Sequence, residues 1–118
     1  MIKSKKKPRN IFEKAEHRRL KRLKVSFEYE SDKIAYVLAG HYTPDFTIKT
    51  PTGKIYVELK GYFRPADKSK LRAVKRCNPK YDIRIVFYRE VRSYVKWCEK
   101  YGFKYAIEKI PKEWLEGL

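Results

Sequence analysis

The chain has few cysteines and histidines and no long apolar run. Two cysteines, Cys77 and Cys98, stand too far apart for a CxxC motif, and two histidines complete no plausible zinc set with them. Neither a zinc site nor a disulfide framework is therefore indicated. Both cysteines fall on apolar positions of predicted helices and are expected to be reduced core residues. No stretch approaches the ~20 apolar residues that span a membrane.

The N-terminus is basic, and no apolar segment typical of a signal peptide follows it. We therefore expect a cytoplasmic protein with no membrane partner. A basic amphipathic helix lying on anionic lipid is the competing use of the first segment.

Acidic residues are scarce beside basic ones. Fourteen Asp and Glu against thirty Lys and Arg give a formal charge of +16. Such an excess favours a polyanionic partner, because Coulomb attraction and the release of condensed counterions both draw the chain to a phosphate backbone. A soluble basic protein without a specific partner is the plain alternative. Charge alone does not separate an enzyme from a ribosomal or architectural protein.

The length of 118 residues, with 42% hydrophobic content, fits one domain with one modest core. We assign residues 1–9 to a basic disordered arm and residues 10–118 to a single domain. Any active site must then share the fold with its binding surface. A small domain with a split site often completes that site by oligomerising.

The hydrophobic pattern predicts a helix, a run of strands and then alternating helices and strands, which indicates a mixed α/β domain. Asn10 and Glu13 have the spacing of a capping box at the start of the first helix, which would run to about Lys24. This helix would bury four apolar residues, Phe12, Ala15, Leu20 and Leu23. Asp67 would cap the second helix, and Gly102 would end the third. Strands are predicted over 25–29, 34–38, 42–48, 54–60, 82–88 and 103–107, helices over 67–77 and 91–101, and a helical turn over 111–115.

The most informative constellation is Pro44-Asp45 followed by Glu58-Leu59-Lys60 across a predicted hairpin. Residues two apart on a strand face the same side, so Glu58 and Lys60 point together, and the hairpin folds Asp45 back towards them. Hydrolysis of a phosphodiester needs hard oxygen ligands for Mg²⁺ and a group that orients or activates water. The two carboxylates suit the first task, and the lysine suits the second or stabilises charge on the phosphate. The structural alternative is a solvated strand face beside a turn aspartate.

Five blocks of sequence carry a resemblance to a known family. They are YTPDF at 42–46, VELKG at 57–61, DIRIVF at 82–87, CEKYG at 98–102 and IPKEW at 110–114. Their order and approximate spacing resemble the phage endonuclease I family of the PD-(D/E)xK nuclease superfamily. The resemblance begins near Glu13 and covers most of the chain. The family comprises Holliday-junction resolvases that also cut other branched DNA, which implies a phage origin and the host-cell cytoplasm.

The resemblance implies a mixed central sheet flanked by helices with a restriction-endonuclease-like core. It also implies the catalytic residues Glu13, Asp45, Glu58 and Lys60. Mg²⁺ or Mn²⁺ would be held by Asp45, Glu58 and the Leu59 carbonyl, while Glu13 would bind a second ion or hold a water on it. Products would carry a 5′-phosphate and a 3′-hydroxyl. From the residues alone, Glu13 could equally close a capping box.

Two neighbours of Glu13, Glu16 and His17, lie within one helical turn of it and could replace it in the site. We expect His17 to be an exposed helix residue or a phosphate contact rather than a metal ligand.

The resemblance further implies a homodimer with exchanged segments. The first helix and the strands after it would pack on the partner, so each active site would borrow its helix glutamate from the other subunit. The crossover would lie near residues 38–42, although the segment from Tyr29 to Tyr42 looks a few residues shorter than the family's. Such a dimer suits a resolvase, since a junction must be cut in two symmetry-related strands while bound once.

Basic residues on the arm and the second helix are the expected contacts to DNA phosphates. They are Lys5, Lys6, Lys7, Arg9, Arg18, Arg64, Lys68, Lys70, Arg72, Lys75 and Arg76. An ordinary solvated helix face is the alternative.

Four aromatic residues in apolar patterns, Tyr36, Phe46, Phe87 and Trp97, are most simply core. Tyr62 and Phe63 could meet DNA near the cut, but we favour packing for both. Nothing in the sequence resembles a base-reading module, so selectivity for branched DNA would come from shape and phosphate geometry. The rival functions are a noncatalytic nucleic-acid-binding protein and a nuclease of the same superfamily acting on linear or damaged DNA.

Overall fold

The structure is a computed structural model that describes residues 6–36 and 40–116, with only the backbone of Tyr36. Most of the arm assigned to residues 1–9, including Lys5, and part of the expected crossover at 38–42 therefore lie outside the described residues. The elements, in order, are α1 (Ile11–Arg22), β1 (Phe27–Tyr29), β2 (Ile34–Tyr36), β3 (Gly40–Tyr42), β4 (Phe46–Thr50), β5 (Gly53–Lys60), α2 (Pro65–Cys77), β6 (Asp82–Phe87), α3 (Arg92–Tyr101), β7 (Lys104–Ile107) and a 3₁₀ helix (Lys112–Trp114).

A five-stranded mixed sheet organises the chain in the order β1-β4-β5-β6-β7. β1, β4 and β5 pair antiparallel, whereas β5, β6 and β7 pair in parallel through the connecting helices α2 and α3. β2 and β3 form a separate antiparallel hairpin, and its β2 strand packs against α2. The predicted mixed α/β class and a mixed sheet flanked by helices are confirmed.

Both faces of the sheet are covered by apolar side chains. One cluster, which includes Leu20 of α1 and Val57 of β5, lies on the α1 side. The other includes Leu71 of α2 and Cys98 of α3. Because β5 is central and covered on both faces, five consecutive residues from Ile55 to Leu59 are buried, as expected for a strand enclosed on both sides.

The cap of α1 matches the sequence prediction, but its buried face does not. The side chain of Asn10 accepts a hydrogen bond of 2.8 Å from Glu13 N, and the helix ends at Arg22, two residues before the expected end. Of the four residues predicted to be buried, Leu20 is fully buried and Phe12 is half-buried, but Ala15 and Leu23 are exposed.

Two carboxylates of α1 are buried although the hydrophobic pattern did not predict their burial. They are Glu13 and Glu16, each 4% exposed. Glu16 accepts a hydrogen bond of 2.8 Å from Ile110 N and pairs with Arg19 at 3.2 Å. A buried charge is tolerated where such partners replace water, and a hydrophobic pattern does not reveal partners so distant in sequence.

The strand predicted over 42–48 is divided in two. Gly40 and His41 belong to β3, which ends at Tyr42, and β4 begins only at Phe46. Pro44 lies in the connection, where its missing N–H removes no ladder bond. Asp45 therefore precedes the strand instead of lying within it.

The start of α2 also differs from the prediction. Arg64 is the N-cap and Pro65 is the first helical residue, a position that suits proline. Asp67 lies three residues after the cap, and its side chain accepts a hydrogen bond of 3.0 Å from Arg64 N. The predicted left-handed cap at Gly102 is confirmed, with φ of 75°.

Cys98 lies in the core as predicted, whereas Cys77 is only partly buried. Among the helices of residues 6–36 and 40–116, none has the length and apolar character needed to cross a bilayer.

Candidate active site

Four side chains from three segments converge on one cleft with a volume of about 410 Å³. Glu13 comes from the first turn of α1, Asp45 from the connection before β4, and Glu58 and Lys60 from the end of β5. All four side chains line this cleft, which we call the carboxylate cleft. The structure thus brings together every residue that the sequence nominated for catalysis.

Asp45 lines this cleft and is buried, with 4% of its surface exposed. Its Oδ2 accepts a hydrogen bond of 2.8 Å from the backbone amide of Leu59. Burial, followed by the charges of Glu58 and Glu13, raises the pKa of Asp45 to about 9 despite the Leu59 amide and Lys60. Such a carboxylate gains from a nearby cation, because a positive charge relieves both desolvation and repulsion.

Glu58 is held by two partners on β3 and β5. Its Oε1 accepts a hydrogen bond of 2.7 Å from the Tyr42 hydroxyl, and its Oε2 lies 3.4 Å from Lys60 Nζ. Burial raises the pKa of Glu58, and these two partners only partly oppose it. The predicted same-face pairing of Glu58 and Lys60 is confirmed.

Lys60 lies between two carboxylates. Its Nζ is 3.4 Å from Glu58 and 3.2 Å from Asp67 Oδ1. Burial lowers the pKa of Lys60, but the two carboxylates outweigh it and the net shift is upward. Lys60 is therefore an ammonium at neutral pH, suited to orienting a nucleophile or stabilising phosphate charge rather than to removing a proton.

Glu13 serves the helix cap and faces the cleft at once. Its backbone amide is capped by Asn10, whose Nδ2 also donates to Glu13 Oε2 at 3.2 Å. Its Oε1 accepts hydrogen bonds from the Tyr29 hydroxyl and from Arg9 N at 3.3 Å. Capping and a place in the site are thus compatible in this residue.

Sequence reasoning missed Glu30, which lies in the same cluster. Carboxylate oxygens of Glu13, Glu30 and Asp45 all lie within 4.8 Å of one another. Glu30 is 8% exposed, and its amide donates to Asp45 O at 3.2 Å. Tyr29 pairs with Phe46, so the residue after Tyr29 approaches the residue before Phe46. This register belongs to the fold, and no local sequence signal marks Glu30.

Arg9 covers this three-carboxylate group. Its Nη2 is 2.6 Å from Glu30 Oε2 and 4.0 Å from Glu13 Oε2. The contact to Glu30 Oε2 is an ion pair whose geometry falls short of a hydrogen bond, while Nη1 donates to Glu30 Oε1 at 3.1 Å. The side chain of Arg9 is 67% exposed.

The donor set fits a hard divalent cation. Three buried carboxylates within 4.8 Å offer the oxygen ligands that Mg²⁺ and Mn²⁺ take in proteins. Glu58 was expected to be the second ligand beside Asp45. It contacts Tyr42 and Lys60 instead and, among the described residues, is not part of the group formed by Glu13, Glu30 and Asp45.

The two residues considered as substitutes for Glu13 make structural contacts instead. Glu16 binds the backbone at Ile110. His17 makes edge contacts with Phe27 and Tyr29, with ring centroids 5.2 and 5.9 Å apart. Burial, and secondarily Lys21, lowers the pKa of His17, so it is a packed neutral ring rather than the expected exposed residue.

Comparison with known proteins decides the family. A family model described as Phage endonuclease I matches residues 1–117. The chain belongs to the phage endonuclease I family. It is 41% identical over 103 residues to Endonuclease I of Escherichia phage T7, an alignment covering 78% of this chain and 67% of that protein. It is 38% identical over 98 residues to Endodeoxyribonuclease 1 of Enterobacteria phage T3, covering 74% and 62% respectively. The resemblance inferred from the five sequence blocks is confirmed.

The basic residues of α2 in this family member are partly engaged by aromatic rings. Lys68 lies 5.5 Å from the centroid of Phe63, and Arg72 lies 4.2 Å from that of Tyr101. Lys75 lies 4.4 Å from the Phe103 ring centroid and donates to Gly102 O. These three cations therefore stabilise the α2–α3 side, whereas three of the other expected phosphate contacts, Arg18, Lys70 and Arg76, are exposed on helices.

Of the expected phosphate contacts, Arg9 and Arg64 line the carboxylate cleft directly. Lys70 lines a smaller adjoining cleft that also contains Lys60 and Glu58. Lys6 and Lys7 are exposed. Contact of any of these residues with DNA stays a prediction.

Of the two aromatic residues after β5, Phe63 packs in the core and Tyr62 is exposed. Phe63 is 2% exposed and packs against Phe87 and Trp97, so its predicted packing is confirmed. Tyr62 is 68% exposed and lines the carboxylate cleft, so the packing prediction was wrong for it. Phe46 and Phe87 are core residues as predicted, and Trp97 is partly buried.

Proposed function

We propose that this member of the phage endonuclease I family is a structure-selective DNA endonuclease acting in the host-cell cytoplasm. It would resolve four-way junctions and cut other branched DNA by Mg²⁺- or Mn²⁺-dependent phosphodiester hydrolysis. The observation that carries this proposal is the convergence of Glu13, Asp45, Glu58 and Lys60 in one cleft. The names of the phage T7 and T3 relatives, which describe an endonuclease and an endodeoxyribonuclease, support DNA as the substrate.

Asp45, Glu58 and the Leu59 carbonyl would hold the catalytic ion, and Glu13 would hold a second ion or a water on it. Glu30 lies close enough to Glu13 and Asp45 to share in this binding. A bound divalent ion would neutralise charge on the phosphate and lower the pKa of a nearby water. Arg9, which now pairs with Glu30, would be freed to contact a phosphate.

Lys60 would stabilise the negative charge that develops on the phosphate during hydrolysis. Its ammonium form is maintained by Glu58 and Asp67. The Tyr42 hydroxyl holds Glu58 by donating a hydrogen bond to Oε1, the oxygen that does not face Lys60. Attack of water on the phosphorus opposite the 3′-oxygen would break the P–O3′ bond. The 3′-oxygen would leave as a hydroxyl after taking up a proton, and the phosphate would remain on the 5′ end. Arg64 at the rim of the cleft would bind a flanking phosphate.

The proposal includes a homodimer with exchanged segments and a restriction-endonuclease-like core of the PD-(D/E)xK superfamily. An antiparallel β4–β5 pair beside parallel β6 supports that core. In the single chain described, Glu13 lies beside its own Asp45. Exchange of α1, β1 and β2 between two copies would preserve the same contacts across the dimer.

The test is cleavage of a synthetic four-way junction beside linear duplex of the same sequence, in Mg²⁺ and in EDTA. We expect metal-dependent paired nicks near the crossover, with the duplex spared. Equal cutting of the linear duplex would favour a nuclease for unbranched DNA. Tight junction binding without cleavage in Mg²⁺ or Mn²⁺ would overturn the catalytic proposal in favour of a noncatalytic basic nucleic-acid-binding protein.

A further inference from the structure

A second, more apolar cleft adjoins the carboxylate cleft. It has a volume of about 570 Å³, within the range of roughly 300–1,000 Å³ found for small-ligand sites. The two clefts share four lining residues, Arg9, Asn10, Leu59 and Gly61. The apolar cleft adds Ile11, Phe12, Lys14 and Tyr88.

Two large apolar side chains of this cleft are open to solvent. Ile11 is 84% exposed and Tyr88 is 53% exposed. Tyr88 is braced on one edge by Phe12, at a ring-centroid separation of 5.5 Å and an interplanar angle of 62°. The exposed aromatic ring is therefore held in position without being buried, as a stacking surface requires.

The position of Tyr88 is tied to the catalytic strand. Its backbone amide donates a hydrogen bond of 2.9 Å to Lys60 O. Tyr88 thus follows β6 at the same sheet edge at which Lys60 ends β5. A ligand reaching from the carboxylate cleft past Gly61 would meet the Tyr88 ring.

Charge decides which partner fits this apolar cleft. Its charged lining residues, Arg9 and Lys14, are both basic, and Arg89 Cζ lies 5.8 Å from the Tyr88 ring centroid. A second copy of a chain with formal charge +16 would be repelled here, whereas a polyanion would be attracted. An apolar ring surface with cationic neighbours matches a nucleobase attached to its phosphate.

We propose that the apolar cleft binds an unpaired base of the nucleotide adjacent to the phosphate that is cut, with that base stacked on Tyr88. This inference rests on the proposed cleavage in the carboxylate cleft. Stacking tolerates any base, because every base has a π-face. The duplex stack is interrupted at a branch point, so a base there would leave the stack at a lower cost than in linear duplex. The cleft would thereby contribute to selection of branched over linear DNA.

A double-substitution cycle tests this contact between protein and base. The cut is first mapped on a four-way junction in Mg²⁺. Junctions are then made with an abasic residue at each of the three nucleotides on either side of the cut. Binding of each junction is measured in Ca²⁺ for the wild-type protein and for Tyr88→Leu, Tyr88→Phe, Ile11→Ala and Tyr81→Ala.

We expect one abasic position to weaken wild-type binding about tenfold, the scale of one base–aromatic stack. Tyr88→Leu should show the same loss on the intact junction and no further loss on the abasic one, whereas Tyr88→Phe should behave like wild type. Ile11→Ala should reduce the abasic effect partly. Tyr81 lies at the opposite end of β6 and is 44% exposed, so Tyr81→Ala should leave binding and the abasic effect unchanged.

Equal abasic effects in wild type and Tyr88→Leu at every position would overturn the proposal. Conversion of a dimer to a monomer by Tyr88→Leu, seen in sedimentation, would also overturn it by assigning the cleft to a second copy. Failure of the proposed cleavage is distinguishable, because it would show as an absence of any cut to map.

Discussion

Asp45 accepts a hydrogen bond of 2.8 Å from the backbone amide of Leu59. Leu59 lies between Glu58 and Lys60 on β5. The bond therefore holds the side chain of Asp45, which comes from the connection before β4, close to Glu58 and Lys60. The position of Asp45 therefore does not depend on regular strand geometry around Pro44. It depends on this hydrogen bond from the backbone of β5.

Glu58→Gln and Asp45→Asn are each expected to abolish cleavage while junction binding survives. Each change keeps the size of the side chain and removes a negative charge that a divalent ion requires. We expect single-turnover rates to fall by more than about a hundredfold, the scale of losing one preorganised electrostatic partner. Junction affinity in Ca²⁺ is the control, and full cleavage by either variant would show that the site is elsewhere.

Lys60→Ala should keep metal binding and lose most of the cleavage rate. The Lys60 ammonium is placed against Glu58 and Asp67, so its expected work is on the phosphate rather than on the ion. Calorimetry with Mn²⁺ beside single-turnover kinetics separates the two effects. Lys54→Ala is the matched control, since Lys54 lies on the same strand but pairs with Asp32 at 3.1 Å. Loss of Mn²⁺ affinity in Lys60→Ala equal to its loss of rate would contradict this assignment.

Glu30→Gln should weaken metal binding about tenfold, because residues supporting a metal site typically contribute that much. Its carboxylate lies with those of Glu13 and Asp45. The matched control is Glu28→Gln, on the same strand segment but paired with Lys49 at 3.0 Å. Titration with Mn²⁺ measures both affinities. An unchanged affinity in Glu30→Gln would mean that Glu30 serves only to hold Arg9.

The sequence predicted the elements that follow a regular period. Alternation gave the β4–β5 hairpin, and the same-face rule placed Glu58 with Lys60, because both depend only on local geometry. The division of the predicted strand at residues 43–45 was not predictable from the sequence. It depends on how the chain passes from the β2–β3 hairpin to the five-stranded sheet, which is set by tertiary packing.

Buried carboxylates were the other gap between sequence and structure. Glu16 is buried because it binds the amide of Ile110, 94 positions away along the chain. Glu30 is buried because β1 pairs with β4. Nothing in the local pattern distinguishes such residues from solvated glutamates, which are the more frequent case.

Stability of the metal-free protein should depend on the protonation of Asp45. Its pKa is raised to about 9 by burial and by Glu58 and Glu13, so the folded state retains a proton that the unfolded chain releases above pH ~4. The free energy of unfolding should therefore fall as pH rises between about 4 and 9, by at most about 1.4 kcal/mol per pH unit for one proton. Urea unfolding in EDTA at pH 5 to 8 measures this slope.

Asp45→Asn is the control for that pH dependence, because it removes the titrating carboxyl and keeps its shape. The slope should flatten in this variant, and saturating Mg²⁺ should flatten it in the wild-type protein by stabilising the ionised form. An identical slope in Asp45→Asn and wild type would assign the dependence to other groups.

Mixing two inactive variants tests the exchange of segments in the dimer. In an exchanged dimer, one site combines Glu13 of one copy with Glu58 of the other, so a mixed dimer of Glu13→Gln and Glu58→Gln contains one intact site. Co-refolded mixtures should recover about a quarter of wild-type nicking, because half of the dimers are mixed and each has one working site of two. Without exchange, every site retains one defect and nicking stays absent. A mixture of Asp45→Asn and Glu58→Gln is the control, since both residues lie after the crossover and no site is restored under either arrangement.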